Sequence, residues 1–497
     1  MEVNVIKSVI RWVGVLCIAQ SGIFISSLSA ESSPQQTNFI QILTDDQGWG
    51  DLGSFGHQYI QTPNIDQLAL DGVKLTACYS AAAVCSPSRA SILTGRTPYR
   101  NGVYRWVPKD HFCHLPKSEV TLPQLLRESG YQTAHFGKWH LSHYTEERIG
   151  KSEQFKNFGY GEDPNQPSMN DYGYDYWLAT GNVARPNHKQ PLNFFLNAEA
   201  LGQTEGYSAQ IVAREFVKWM QTVRNQGEPF FVTIWFHEPH GPIETDPKYM
   251  EPYADLEDPS LRQYLGNITQ IDDAVGAIMQ ALEAAGVADD TLVWYTSDNG
   301  PEGRDGFGGF NLEDSPYGGS RYRGSSGGLK GRKRATHEGG VRVPGIIHWP
   351  AGFKQAGLKS GFVSDAPVIG SDVFPTFLEI AGVPLPEGVT LDSVSILPLL
   401  QDRAFERSKP LYWRNLHFKF RIGLRDGDWK IVGTSDRSEF ELYNLSRDPR
   451  ETTNLSAHYP ERFEQMKDSL IEYDADVLAE GPDWWKQDPK LGQVHID

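Results

Sequence analysis

One cysteine, an arginine four residues beyond it and several acid, lysine and histidine pairs carry the chemistry this sequence offers. Cys85 opens the run CSPSRASILTGR, in which Pro87 suits the first turn of a helix and Gly95 its end. The spacing predicts a helix through 90–93 with Cys85 at or just before its N-terminus, where unpaired N–H groups and the macrodipole favour an anion. Arg89 follows about one turn later and can neutralise the same anion. A small reactive group and an arginine at such a helix start read as a nucleophile facing a tetrahedral oxyanion. Taken alone, Cys-x-Pro-x-Arg also fits an ordinary loop-to-helix junction.

Four further places put polar donors directly after an apolar, strand-forming run. NFIQILT (38–44) ends in Asp45-Asp46, adjacent carboxylates that repel unless a cation or hydrogen bonds compensate. A hard divalent ion with oxygen ligands fits there, and a solvated turn is the bland alternative. TLVWYT (291–296) leads into Ser297-Asp298-Asn299-Gly300, and FFVTIW (230–235) into His237-Glu238-Pro239-His240. YQTAHF (131–136) leads into Gly137-Lys138-Trp139-His140. Ligands of open α/β sheets bind beyond the carboxyl ends of the strands, so four such ends would converge on one crevice.

The elements that must position these groups alternate between strand and helix. Residues 121–130 carry a capping Thr121, an early Pro123 and a terminal Gly130; 208–220 has amphipathic spacing; 264–285 and 371–381 are further helix candidates. The expected fold class is therefore α/β, a large mostly parallel sheet covered by helices on both faces. Beyond about 402 the pattern changes to short strands at 420–425, 429–432 and 440–443, followed by a helix at 460–473. This reads as a small α+β domain with an antiparallel sheet. The division expected is 1–30 leader, 31–400 catalytic domain and 401–497 C-terminal domain. Residues 144–204, polar and aromatic, read as surface loops that shape specificity. Residues 321–334 contain six basic side chains and no acid, and read as a basic rim.

Composition narrows the function further. A formal charge of −17 argues against a general nucleic-acid or anionic-membrane binder, so an anionic substrate must meet a local basic patch. Aromatic content of 12% permits a carbohydrate-binding cleft. Lys7 and Arg11 precede an apolar run at 12–25, with small residues up to Ala30, the pattern of a secretory signal. Gln20, Ser21 and Gly22 interrupt the run, which speaks against a stable membrane anchor and for an exported, periplasmic or secreted protein. Of the mature cysteines, Cys78 and Cys113 either form one disulfide or stay as two buried thiols.

The run from Cys85 to Arg96 resembles the signature of the type I sulfatases, members of the alkaline phosphatase superfamily. The resemblance extends over nearly all of the mature chain and implies a sulfuric ester hydrolase acting on a sulfated carbohydrate, such as an algal galactan or glycosaminoglycan. It implies that a formylglycine-generating enzyme or anaerobic maturase converts Cys85 to formylglycine. It implies one Ca²⁺, held by Asp45, Asp46, Asp298 and Asn299 together with position 85. GKWHL (137–141) matches a family stretch in which Lys138 and His140 contact the sulfate and the hydrate. PHGP (239–242) resembles the family motif that supplies a histidine near the leaving oxygen, which implies His240 as its acid, and Lys333, five residues before Glu338, falls where the family has a lysine, with Lys330 as competitor. Arg89, Lys138 and Lys333 are thereby expected to stabilise charge on the sulfuryl oxygens. His237, His337 and Arg334 are candidate substrate contacts, His237 without a general counterpart. The rival readings are a phosphonate or phosphodiester hydrolase of the same superfamily and an inactive polyanion-binding homologue.

Overall fold

Fifteen strands occur among the residues described by the computed structural model, which are 36–107, 113–142, 166–303, 319–358, 361–415 and 420–481. The expected leader at 1–30 lies outside them. In chain order the first eleven are β1 (Asn38–Thr44), β2 (Val73–Tyr79), β3 (Gln132–Lys138), β4 (Tyr176–Thr180), β5 (Phe195–Leu196), β6 (Glu199–Ala200), β7 (Phe230–Trp235), β8 (Thr291–Ser297), β9 (Arg342–His348), β10 (Phe362–Ser364) and β11 (Val368–Ile369). They form one sheet in the order β10-β2-β9-β8-β1-β7-β3-β4-β5-β6, with β11 also on β2. The five strands from β8 to β4 are mutually parallel, while β9 runs antiparallel to both of its neighbours. The sheet is thus mostly parallel, as its continuous apolar runs predict.

β1 lies at the centre, and every one of its residues is buried. Successive side chains of a strand point to opposite faces. Accordingly Phe39 and Leu43 join one core while Ile40 and Ile42 join the other. The main helices are α1 (Pro63–Asp71), α2 (Cys85–Thr94), α3 (Leu122–Glu128), α4 (Ser208–Lys218), α5 (Pro259–Ala284), α6 (Val373–Ala381) and α7 (Pro460–Glu480). On the Phe39 face, α6 stacks Phe377 on it with ring centroids 4.6 Å apart. On the other face, α4 and α5 contribute Phe216 and Ile271 to the core with Ile40.

Two boundaries differ from expectation for local reasons. α5 starts five residues earlier than its apolar spacing suggests, because the Asp258 carboxylate caps Ser260 N–H at 2.8 Å and Pro259 opens the helix. α7 runs past 473 to Glu480, because Asp474 is buried and accepts from Arg414 at 2.6 Å and Tyr412 at 2.7 Å. Those partners sit on β12 (Leu411–Arg414), which with β13 (Phe420–Asp426), β14 (Trp429–Thr434) and β15 (Phe440–Asn444) forms a separate four-stranded antiparallel sheet. Cys78, Cys85 and Cys113 are all buried free thiols, so of the two readings of Cys78 and Cys113 the structure holds the unbridged one. No described helix is long and apolar enough to cross a membrane.

Candidate active site

The helix that begins at Cys85 follows an extended Val84, and Gly95 ends it at φ 68°, a left-handed cap that favours glycine. Its first turn points at the carboxyl end of β1. Cys85 Sγ lies 3.5 Å from Asp45 Oδ1 and 3.5 Å from Lys333 Nζ. One turn along, the fully buried Arg89 guanidinium donates to Asp298 Oδ2 at 2.8 Å, Asp45 Oδ2 at 3.3 Å and the Lys138 carbonyl at 2.9 Å. A single side chain thereby ties together the ends of β1, β8 and β3. The guanidinium also stands over the Trp235 ring at 5.1 Å.

Backbone geometry delivers the remaining groups. Gly137 has φ 118°, and a Cβ there would lie 1.9 Å from the Trp235 carbonyl oxygen, so only glycine lets β3 run this close to β7 at the site. The next residue, Lys138, donates its ammonium to Asp45 Oδ2. Asp46 and His140 both adopt positive φ, 68° and 58°, an uncommon state for side-chain-bearing residues that recurs at functional sites. Asp46 N–H donates to Asp298 Oδ1 at 3.2 Å, and Asn299 Nδ2 donates to Asp46 Oδ1 at 2.8 Å. Lys333 donates to Asp46, and His140 Nε2 lies 3.1 Å from the Val107 carbonyl.

The His240 loop is pinned from behind. Glu238 Oε1 accepts from the Ser208 hydroxyl and, at 2.8 Å, from Ala209 N–H at the start of α4, while its carbonyl accepts Asp45 N–H at 3.0 Å. His240 then reaches the mouth with Nδ1 at 2.6 Å from the Gly241 carbonyl and Nε2 at 3.7 Å from Asp46 Oδ2. A carbonyl only accepts, so the hydrogen-bond network assigns the proton to Nδ1 and leaves Nε2 facing the acids.

Charge sets the titration of the cluster. Burial alone would raise Asp45, yet Lys138, His240, Arg89 and Lys333 hold its carboxyl well below the usual range. Asp298 is pushed up to about 6 by burial and by Asp45, against Arg89 and Lys138. Cys85 rises to about 12 through burial and the Asp45 charge, so as a thiol it is protonated and a poor nucleophile at neutral pH. His240 is driven well below its ordinary value by burial, which the Asp45 charge only partly offsets.

The donor set suits a hard cation. Asp45, Asp46, Cys85 and His240 offer ligand atoms within 4.8 Å of one another. Asn299 Oδ1 is buried beside them without a hydrogen-bond partner, a cost that an oxygen-seeking ion would remove. Three carboxylates and an amide oxygen match calcium better than a soft metal.

Of the other residues read from the sequence, Arg334 lies near the cluster and pairs with Glu302 through both terminal nitrogens. His337 is buried with Nε2 3.4 Å from Glu441, and His237 is buried with Nε2 2.7 Å from Thr180 Oγ1. Lys330, the competitor of Lys333, turns away to Glu441 at 3.3 Å and the Tyr443 hydroxyl at 2.8 Å. The basic run at 321–334 is not a free rim. Arg323 pairs with Asp258 at 2.7 Å, Arg332 donates to the Glu302 and Gly324 carbonyls, and Arg321 pairs with Glu302 at 2.8 Å and Asp46 at 3.4 Å. Its acid partners come from distant parts of the chain, which is why the stretch reads as unpaired in sequence. Sequence reasoning missed Arg321 and Glu302 as site residues. The available signal was an acid three residues after Asn299 in a protein with six cations nearby.

A mostly parallel α/β sheet, a buried cysteine at a helix start and an acid cluster suited to a divalent ion fit a hydrolase of oxyanion esters with an alkaline-phosphatase-like fold. Residues 37–383 match the family model described as Sulfatase, and 331–476 the one described as N-sulphoglucosamine sulphohydrolase, C-terminal. The chain belongs to the type I sulfatase family of the alkaline phosphatase superfamily. It is 32% identical to human N-acetylgalactosamine-6-sulfatase over 495 residues, 91% of this chain and 88% of the relative. It is 34% identical to arylsulfatase A of Bos taurus over 393 residues, 76% and 69% of the two chains. The crystal structure of Ps i-CgsB has a TM-score of 0.77 at 25% identity, over 93% of this chain and 97% of its own.

Proposed function

We propose that this sulfatase removes sulfate from a sulfated carbohydrate, with Cys85 matured to formylglycine and Ca²⁺ held by Asp45, Asp46, Asp298 and Asn299. The observation that carries the reading is the placement of position 85 at a helix start, within 3.5 Å of both a carboxylate of the acid cluster and the Lys333 ammonium. The human relative named as an N-acetylgalactosamine-6-sulfatase supports an amino-sugar sulfate as the starting substrate class. A matured residue 85 would supply a hydrate hydroxyl as nucleophile, answering the poor nucleophilicity of the buried thiol. The ion, when bound, would supply Lewis-acid polarisation of a sulfate oxygen.

The chain's own residues do the rest. Lys333 reaches position 85 directly, while Arg89 and Lys138 meet Asp45 beside it, and the three stabilise charge that develops on the sulfuryl oxygens. They are buried and held by fixed carboxylates, so little reorganisation accompanies the reaction. His240, at the mouth, serves the departing sugar oxygen as acid; His140, fixed by its backbone geometry and the Val107 carbonyl, serves proton transfer at position 85. Peptide mass spectrometry of protein made with a maturing enzyme should show formylglycine at position 85, and Cys85→Ala should keep the fold and lose turnover. A fully active preparation containing only intact cysteine would overturn the reading.

A further inference from the structure

We propose that Arg321 and Arg334, clamped by Glu302 at the mouth of the site, form a subsite for a second anionic group on the sugar, so that the enzyme prefers a substrate carrying a further sulfate or a uronate carboxylate beside the ester it cleaves. The inference rests on the carbohydrate-sulfatase reading and narrows its substrate class.

The charge count motivates it. A sulfate monoester carries one negative charge, and Arg89, Lys138 and Lys333 already face the nucleophile position. Two further guanidiniums stand just outside them. Arg321 reaches Asp46 at 3.4 Å, and the Arg321 charge is felt at His240. Arg334 is adjacent in sequence to Lys333, and its charge is felt by Asp46 and Cys85. Around position 85 these five cations face four carboxylates, Asp45, Asp46, Asp298 and Glu302. Any divalent ion adds to that surplus. One monoester would balance the surplus of one from the side chains alone, but not the surplus of three that a bound divalent ion would give, and a chain with a net charge of −17 would otherwise repel a polyanion.

Of the two arginines, Arg334 is the one that reaches toward the surface, while Arg321 lies buried behind it. Their side chains retain 7% and 20% exposure, against 0% for Arg89 and Lys138, and the 16%-exposed His240 shares the mouth with them. Glu302 grips both: Oε1 and Oε2 take the two terminal nitrogens of Arg334, and Oε2 takes Arg321 at 2.8 Å. Glu302 is shared by both guanidiniums and Asp46 reaches Arg321 as well, which holds the pair in a fixed geometry. Arg332 holds the Glu302 carbonyl at 2.9 Å, which fixes the clamp in turn. Arg334 is held at φ 77° with its N–H on the Ala83 carbonyl at 2.8 Å. That conformation is disfavoured for a residue with a Cβ, and such backbone strain clusters at ligand clamps. Planar guanidinium forks are suited to sulfate and carboxylate oxygens alike.

The test compares kcat/KM of the matured enzyme on an aryl sulfate with no second charge, N-acetylgalactosamine 6-sulfate, its 4,6-disulfate, and the 6-sulfate linked to a glucuronate. Preference for the disulfate or for the uronate disaccharide identifies which anion the subsite takes. At least one should exceed the monosulfated sugar by about tenfold or more, chiefly through KM, and the gap should close with added salt. Arg334→Gln and Arg321→Gln should bring that ratio toward one, and Arg334→Lys should retain part of it. A wild-type ratio near one for both dianionic sugars would overturn the inference while leaving the carbohydrate reading standing. So would variants that slow all sugars in the same proportion, since that is the behaviour of a structural brace. Turnover of aryl sulfate with no sugar hydrolysed would remove the carbohydrate reading and the inference with it.

Discussion

Replacing His240 and Lys333 separately by alanine should separate two kinds of catalysis within one site. Lys333 Nζ sits 3.5 Å from Cys85 Sγ, is 5% exposed and is held by Asp46. Burial alone would lower its pKa, but Asp46, position 85 and Glu302 raise it, so the ammonium is charged throughout the working range. In the proposed mechanism it therefore acts on the sulfuryl oxygens whatever the leaving group. Removing one preorganised donor of this kind costs about 10²–10³ in kcat, or about 2.7–4 kcal/mol. His240 instead lies at the mouth, 16% exposed, with Nε2 directed at the acid cluster. Its loss should cost about 10²–10⁴ on a sugar sulfate, whose alkoxide leaves poorly, and little on an activated aryl sulfate. Burial depresses its pKa, so the acidic form is scarce at neutral pH and grows as pH falls. The sugar-sulfate rate should therefore rise below neutrality along a limb that His240→Ala abolishes. The assay is kcat/KM against pH for both variants on a sulfated sugar and an aryl sulfate. Equal loss on both substrates for His240→Ala would refute its role as acid.

Two further outcomes follow from the same geometry. Chelation should abolish activity and lower the thermal midpoint; calcium should restore both and zinc should not, because the donors are mainly oxygens, and saturation at a hundredfold excess over Kd contributes about 2.7 kcal/mol. Recovery with zinc alone would contradict the assignment. Lys430→Met should destabilise the fold by about 3–5 kcal/mol in denaturant titrations, since the fully buried lysine bridges Glu338 at 2.8 Å and Glu451 at 3.1 Å and its loss leaves two buried carboxylates. Burial would raise Glu338, but Lys430, Arg342 and Arg425 hold it at about 2, below its ordinary 4.5; its contribution is thus complete above about 4.5 and fades as pH falls toward 2. A loss below about 1 kcal/mol at neutral pH would show that the cluster is not what holds this junction.

Much of the fold was legible because its central strands are continuous apolar runs ending in polar motifs. NFIQILT, TLVWYT and FFVTIW are buried on both faces, and no amphipathic helix produces that pattern. β12 was not legible: four residues carry too little periodicity, and its place is set by β13 beside it and by Asp474 of α7. The acid cluster, Cys85 and Arg89 were legible because each follows a strand or opens a helix in a fixed local motif. The choice of Lys333 over Lys330 came only from the family spacing to Glu338, since both lie within one loop and differ in which way the chain turns. Arg321 was hidden for a related reason. Its partner Asp46 lies 275 residues away, so a stretch of unpaired basic residues in sequence becomes a paired inner wall in the fold.

That turn of the chain explains why a small antiparallel sheet accompanies the catalytic one. The segment 330–338 carries Lys333 to Cys85, yet it is short of regular structure and would wander if held only by its ends. Its backbone is fixed on the catalytic side by Lys333 N–H on the Pro301 carbonyl and Arg334 N–H on Ala83. On the other side the small sheet supplies the anchors. Lys330 and His337 meet Glu441 of β15, while Glu338 meets Lys430 of β14 and its N–H meets Glu451 just beyond β15 at 2.7 Å. Glu338 also accepts from Tyr79 of β2 at 2.7 Å, and Arg425 of β13 reaches the same hydroxyl. A buried ion pair contributes little net stability but strongly specifies which partner a charge meets. Here the pairing of Lys330 with Glu441 and of Glu338 with Lys430 brackets the segment in which Lys333 meets Cys85, so the small sheet helps to shape the wall beside the proposed nucleophile position.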